Sequence, residues 1–201
     1  AVLLGAWFWY YFIYIRTPDY AIREFTAAIK RHDASALDRY VDLDRTIGHA
    51  YDVLVDDLFL YDADLTDETR ATYARFYRDI KPQLVAGVAE TIRLHISTGE
   101  WPLPDGDALT KGRQLGIDFE RFLERSQLRN SEVIKVGDFH VISRSATAPL
   151  SVRDRHTGIE STLTLSMEQA ADGHWQITGI ANYQQYLDAI APRQNRDIAD
   201  Y

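Results

Sequence analysis

The chain has 201 residues, of which 46% are hydrophobic, 12% aromatic and 26% charged. This length and composition are ordinary for one folded domain, and they exclude a disordered, collagenous or coiled-coil chain. Acidic residues outnumber basic ones 30 to 22, and the formal net charge is -8. Such a balance argues against a general nucleic-acid binder, because phosphate contacts need clustered lysine and arginine. The chain contains no cysteine, which excludes disulfides, thiolate chemistry and cysteine-based zinc sites.

The uncharged run at residues 1–15 predicts a membrane anchor, with the lipid bilayer as its partner. As a helix it would reach about 22 Å, so about five more apolar residues upstream would complete a span of the ~30 Å hydrocarbon core. The only methionine is Met167, and a missing upstream segment is therefore expected. Aromatic residues crowd the downstream half of the run, as in an interfacial belt. The expected membrane-interface residues are Trp7, Trp9, Tyr10, Tyr11, Tyr14 and Arg16.

Two other interpretations of this run are a secretory signal core and a buried globular helix. A signal peptide ends in small residues for cleavage, whereas residues 14–18 read Tyr-Ile-Arg-Thr-Pro, which is a poor cleavage site. A globular helix needs a polar face, and the run has none. The sequence therefore favours an uncleaved anchor over residues 1–16.

The part of the chain after the anchor predicts a layer of amphipathic helices. Thr17 and Pro18 form a good helix start, with Thr as N-cap and Pro as the first helical residue. Asp33 and Asp44 are the predicted N-caps of a second and a third helix.

A longer helix is predicted after an acidic loop at residues 61–68. Pro82 is expected to kink or split this helix, because proline lacks the amide donor, and Gly99 is expected to end it. One more helix is predicted around residues 115–123.

From about Glu132 the hydrophobic period changes to two, which is typical of strands with one apolar face. A first strand over residues 133–142, bent at Gly137, precedes alternating runs that are separated by turns at residues 156–158 and 171–173. The residues expected on the inner face are Ala148, Leu150, Val152, Ile159, Leu163, Leu165, Met167, Trp175 and Ile177. The pattern predicts a three- or four-stranded antiparallel meander.

The predicted fold class is therefore α+β, with a helical layer packed on the meander. The domain is expected to cover residues 17–191 and to end in a short helix at residues 182–190. Residues 192–201 are expected to form a polar tail.

Two features of this organisation resemble known proteins. Helices followed by a meander that closes with residues 173–183, Gly-His-Trp-Gln-Ile-Thr-Gly-Ile-Ala-Asn-Tyr, resemble the nuclear transport factor 2-like (cystatin-like cone) superfold. Residues 17–21, 28–33 and 39–42, together with the closing W-x-I-x-x-I-x-N-Y strand at residues 175–183, resemble a bacterial family of membrane-anchored proteins of unknown function. The resemblance implies a cone-shaped domain held outside the cytoplasmic membrane by a single span, and it implies no catalytic residues.

The sequence contains no strong catalytic or metal-binding motif. The acidic loop lacks the glycine and the last glutamate of a calcium-binding EF-hand, and the six histidines show no helical zinc spacing. No cofactor or metal is expected. If the cone encloses a pocket, the residues expected to line it are Tyr40, Tyr51, Tyr73, Tyr77, His140 and Trp175.

These observations favour a non-enzymatic binding or scaffold module, tethered to the cytoplasmic membrane of a bacterium and facing outward. Its partner would be a protein or another component of the cell envelope, and not a nucleic acid. One alternative is a small-ligand-binding protein or an enzyme that uses the apolar cone pocket. Another alternative is an accessory subunit of a larger membrane complex.

Overall fold

The computed structural model describes residue 10 and residues 13–60, 66–101 and 130–189, with only the backbone at 57–60. The helices are α1 (Pro18–Lys30), α2 (Ala34–Tyr40), α3 (Leu43–Leu60) and α4 (Asp67–Thr98). The strands are β1 (Ser131–Val136), β2 (His140–Ile142), β3 (Ser145–Asp154), β4 (Glu160–Gln169) and β5 (Trp175–Ile180). Helix α5 occupies residues 183–189. The α+β class is confirmed.

Several predicted features lie outside the described residues. These are the interface residues Trp7, Trp9 and Tyr11, the helix around residues 115–123 and the tail at residues 192–201. Most of the expected anchor also lies there, and its last part, Tyr14–Arg16, forms a 3-10 turn. No helix in the described ranges is both long enough and apolar enough to cross a membrane.

Side-chain caps start the first three helices, and one of them differs from the prediction. Thr17 Oγ1 accepts a hydrogen bond from the Tyr20 amide at 3.2 Å, and Asp33 Oδ1 accepts one from the Ala36 amide at 3.0 Å, as predicted. The predicted cap Asp44 is wrong, because Asp42 Oδ1 accepts from the Arg45 amide at 3.0 Å. Asp42 holds this position because its own amide donates to the Ile177 carbonyl of β5 at 2.9 Å.

Helix α4 is 32 residues long and continues through Pro82, so the sequence-based expectation of a split there is wrong. The buried side chains Leu84, Val85 and Val88 follow the proline directly, and their packing offsets the lost backbone hydrogen bond. The helix ends at Gly99, which has a left-handed φ of 77°, as predicted.

Replacing Gly99 with alanine is expected to lower the free energy of unfolding by about 1–2 kcal/mol, because a Cβ disfavours the left-handed conformation. The new Cβ would also lie 3.1 Å from Cε1 of His32. Urea unfolding checks this. The exposed glycine Gly158 is the matched control, because it has a φ of 69° and a Cβ added there would have no neighbouring atom within 4 Å. An equal decrease in the free energy of unfolding at both positions would show that backbone strain alone destabilises the Gly99 variant, with no contribution from the His32 contact.

The sheet is antiparallel with the order β1-β3-β4-β5, and β2 also pairs with β3. It therefore contains five strands, one more than the largest number predicted. The reason is that the first predicted strand is divided at residues 137–139 into β1 and β2, which both lie along the same edge of β3. The sheet is still four strands wide, and the predicted bend at Gly137 is the point of division.

One face of the sheet carries the core. Among the predicted inner-face residues, Ala148, Leu150, Val152, Leu163, Leu165, Met167, Trp175 and Ile177 are buried. Ile159 is the exception, because it precedes β4 and is 37% exposed. Helices α2, α3 and α4 supply the opposing layer of the same cluster, and Tyr183, Tyr186 and Leu187 of α5 complete it.

The two edges of the sheet differ. On the β5 side, Val41 forms a parallel bridge with Ile177, so the link between α2 and α3 occupies that edge. On the other side, β1 and β2 present exposed side chains along most of their length.

Candidate functional site

Three of the expected pocket residues are buried in the core. Tyr40 and Tyr51 come from the helices and Trp175 from β5, and all three are at most 9% exposed. Tyr51 donates its hydroxyl to the Tyr77 carbonyl at 2.5 Å. Trp175 Nε1 donates to the Arg16 carbonyl at 2.9 Å. Burial raises the pKa of the Tyr51 phenol, so this residue acts as a hydrogen-bond donor to the backbone.

The other three expected pocket residues lie elsewhere. Tyr77 is half-buried against the core, while Tyr73 is 45% exposed on α4. His140 is exposed and pairs with Thr147, which places it on the outer face of the sheet. The six residues therefore do not surround one cavity, and His140 does not face the interior.

The inner face offers little for acid–base chemistry. In the described part of the chain, Thr91 is the one buried polar residue, and its hydroxyl donates to the Gly87 carbonyl of the same helix at 2.8 Å. No group of three or more His, Asp or Glu side chains in the described ranges could hold a metal ion. General acid–base catalysis needs a titratable group within hydrogen-bond reach of the reacting atom, and the buried inward positions of the described strands supply none.

An Asp–His pair occurs in the turn between β4 and β5. Asp172 accepts hydrogen bonds from the ring nitrogen Nδ1 and from the backbone amide of His174. The side-chain bond from His174 is the main cause that lowers the pKa of the Asp172 carboxyl. His174 Nε2 is buried without a hydrogen-bond partner in the described part of the chain. Because the two residues are two positions apart in a tight turn, the pair stabilises the hairpin locally.

Aromatic and arginine side chains pack Tyr14, near the end of the predicted anchor, against α1. Tyr14 packs edge-on against Tyr20 with ring centroids 5.5 Å apart, and the Arg23 guanidinium lies 5.0 Å from the Tyr14 ring centroid. Burial, with a smaller contribution from Tyr40, raises the pKa of Tyr20 to about 12, so Tyr20 stays neutral. Two of the expected membrane-interface residues, Tyr14 and Arg16, therefore contact the domain, while Tyr10 is 45% exposed.

The outer face of the sheet is rich in hydroxyl groups. Its described residues on β3, β4 and β5 include Ser145, Thr147, Ser151, Thr162, Thr164, Ser166, Gln176 and Thr178, all exposed or half-buried. Their alternation with buried residues follows the pleat of the strands. This face therefore presents polar groups side by side on three paired strands.

Ion pairs border this outer face. Arg45 of α3 makes a two-pronged contact with Glu168 of β4, with both N–O distances at 2.6 Å. Arg153 bonds Glu160 across β3 and β4 at 2.7 Å. These pairs are half exposed, so solvent screening keeps their contribution to the stability of the fold small.

The Arg45 contact lowers the pKa of Glu168 below 4.5 in the folded protein. This stabilisation is complete above the pKa of the unfolded state and is lost as the pH falls through the folded value. Replacing Glu168 with glutamine should therefore reduce the fall in stability between about pH 6 and about pH 3, by less than about 1 kcal/mol. Urea unfolding of both proteins at the two pH values checks this, and an identical fall in both would contradict it.

Two of these contacts could not be found from the sequence. Arg16 and Trp175 are 159 positions apart, and Arg45 and Glu168 are 123 positions apart. Neither pair belongs to a local motif, because only the tertiary fold brings the two residues of each pair together. The hydroxyl-rich face does have a sequence signal, because Ser and Thr alternate with apolar residues from 162 to 167.

No protein-family model matches the chain, and neither a curated protein nor a solved structure matches it significantly.

Proposed function

We propose that this protein is a non-enzymatic binding or scaffold module with a nuclear transport factor 2-like (cystatin-like cone) domain. It is held outside the cytoplasmic membrane of a bacterium by residues 1–15, and it binds a protein or another cell-envelope component through the outer face of its sheet. One observation carries this proposal. The buried inner positions of the described strands are apolar and packed, whereas most of the polar side chains of these strands lie on the outer face.

The packed inner face supports binding over catalysis. An enzyme or a small-ligand carrier of the cone type needs a polar group that points inward to orient its ligand. The buried inward positions of β3 and β4 hold alanine, leucine, valine and methionine. The small-ligand alternative therefore has less support than the binding module.

The N-terminal contacts support a tethered arrangement. Trp175 holds the Arg16 carbonyl, and Tyr14 packs on Tyr20, so the chain leaves the domain at a fixed point. The apolar run at residues 1–15 ends at this point, so a membrane anchor there would place the domain close to the bilayer surface. The outer face would then be presented to a partner in a restricted orientation.

The test is a pull-down of the full-length protein from membranes in mild detergent, compared with the variant Thr147→Arg. Thr147 is exposed on the outer face, and an arginine there would obstruct a docked partner. We expect a stoichiometric partner with the unaltered protein and at least a tenfold loss with Thr147→Arg. Thr72→Arg is the matched control, because Thr72 is exposed on α4.

Recovery of the protein alone would contradict the proposal, as would equal recovery of the partner by both variants. A partner lost with both variants would mean that binding is not specific to the outer face. The accessory-subunit alternative predicts several stoichiometric partners that are all retained by Thr147→Arg.

A further inference from the structure

The edge of the sheet formed by β1 exposes apolar side chains. Val133 is 59% exposed and Ile134 is 41% exposed. Among the described residues, β1 pairs with β3 on one side only, so its other side is a sheet edge at which a further strand can be added.

A bulge in β1 determines which side chains share a face. Glu132 lies opposite Arg153 of β3, and Lys135 lies opposite Ser151, while Ile134 is the extra residue. Two residues three positions apart in a regular strand would point to opposite faces. The extra residue brings Glu132 and Lys135 to the same outer face.

We propose that β1 pairs antiparallel with β1 of a second copy of this chain, around a two-fold axis between Val133 and Ile134. In this register, Glu132 of each copy lies opposite Lys135 of the other, on the same face. The two apolar residues at the axis, Val133 and Ile134, also lie opposite each other.

The ends of the strand fit the same axis. Ser131 lies opposite Asp154 and Val136 opposite Leu150 in the β1–β3 ladder, so both belong to the inner side of β1. The two-fold axis brings Ser131 of one copy opposite Val136 of the other. The Ser131–Val136 and Glu132–Lys135 pairs thus keep matching faces, and the one acid and one base of β1 form two cross-strand ion pairs.

Charge complementarity favours this register and favours a second copy of the chain as the source of the added strand. Opposite charges in facing positions stabilise antiparallel strands, whereas like charges destabilise them. A shift by two residues would remove both ion pairs. A six-residue strand is smaller than a standard interface of about 1,600 Å², so we expect a reversible dimer. This inference depends on β1 alone and not on the function proposed above.

The absence of cysteine from the chain makes a direct test possible. Two full-length variants, Glu132→Cys and Lys135→Cys, are purified in mild detergent and oxidised separately and as a mixture. In the proposed register the two cysteines lie about 5 Å apart in Cα, within disulfide range. Identical positions would be separated by about 10 Å, which is beyond that range.

We expect at least ten times more disulfide-linked dimer in the mixture than in either variant alone. A mixture of Glu132→Cys with Ser145→Cys is the matched control, because Ser145 is exposed but lies on the inner strand β3. Equal cross-linking in all samples, or none in the Glu132→Cys and Lys135→Cys mixture, would overturn the proposal.

Charge reversal supplies a second measurement by sedimentation velocity over a concentration series. Glu132→Lys and Lys135→Glu should each weaken the dimer at least tenfold, and the double variant should restore it, because the charges are exchanged together. Both positions are exposed, so the substitutions leave the core intact. A chain that is monomeric at every concentration, or a dimer that neither reversal weakens, would overturn the proposal.

Discussion

Replacing Trp175 with alanine is expected to lower the free energy of unfolding by about 3–5 kcal/mol, because the loss of a buried aromatic ring leaves a cavity. The indole is 3% exposed at the start of β5, and its Nε1 also holds the Arg16 carbonyl at 2.9 Å. Urea unfolding, monitored by far-ultraviolet circular dichroism, measures the change. A loss below about 1 kcal/mol would contradict the burial described for this residue.

Two further variants separate the ring from its hydrogen bond. Trp175→Phe keeps a buried aromatic ring but removes the donor, so it should destabilise less than alanine and should accelerate tryptic cleavage after Arg16. Thr147→Ala on the exposed outer face is the control, and we expect it to change stability by no more than about 0.5 kcal/mol. Unchanged cleavage in Trp175→Phe would show that the hydrogen bond does not hold the N-terminal segment.

Replacing Met167 with alanine is expected to cost about 2–5 kcal/mol, because its side chain fills the centre of the core. Met167 is 1% exposed on β4, between Ala146 of β3 and Ile177 of β5. The volume-conserving variant Met167→Leu should cost less than about 1.5 kcal/mol. Chemical denaturation of the three proteins checks the order, and equal losses in both variants would contradict cavity formation as the cause.

Local chemistry explains the parts of the fold that could be predicted. Thr17 and Asp33 have the side-chain oxygens that helix starts require, and Gly99 tolerates the left-handed conformation that ends α4. The alternation from residue 160 to residue 168 follows directly from strand geometry and from one buried face. These signals depend on neighbouring residues only, so they can be read without knowledge of the tertiary structure.

Tertiary contacts explain the features that were predicted wrongly. Asp42 and Asp44 are equally good caps by residue type, and the hydrogen bond from Asp42 to the Ile177 carbonyl decides between them. Pro82 fails to divide α4 because the helix is buried immediately after it. The sequence pattern correctly places His140 in a strand, but the face of the sheet on which it lies follows from its pairing with Thr147 of β3.

The candidate site was harder to predict than the fold for the same reason. Aromatic residues on helices suit both a pocket lining and a core, and only the packing distinguishes the two. Tyr40, Tyr51 and Trp175 are core residues. The Tyr51 hydroxyl and the Trp175 indole each donate a hydrogen bond to a backbone carbonyl of the chain. The outer face becomes visible as one surface only when β3, β4 and β5 are in register.

The most direct measurement of the proposed function is site-specific photo-crosslinking in native membranes, with a photoreactive phenylalanine analogue at Thr147 in the full-length protein. We expect one adduct of defined mass at Thr147 on the outer face, and none from the same analogue at Thr72 on α4. Adducts of equal yield at both positions, or no adduct at Thr147, would contradict a partner bound to the outer face of the sheet.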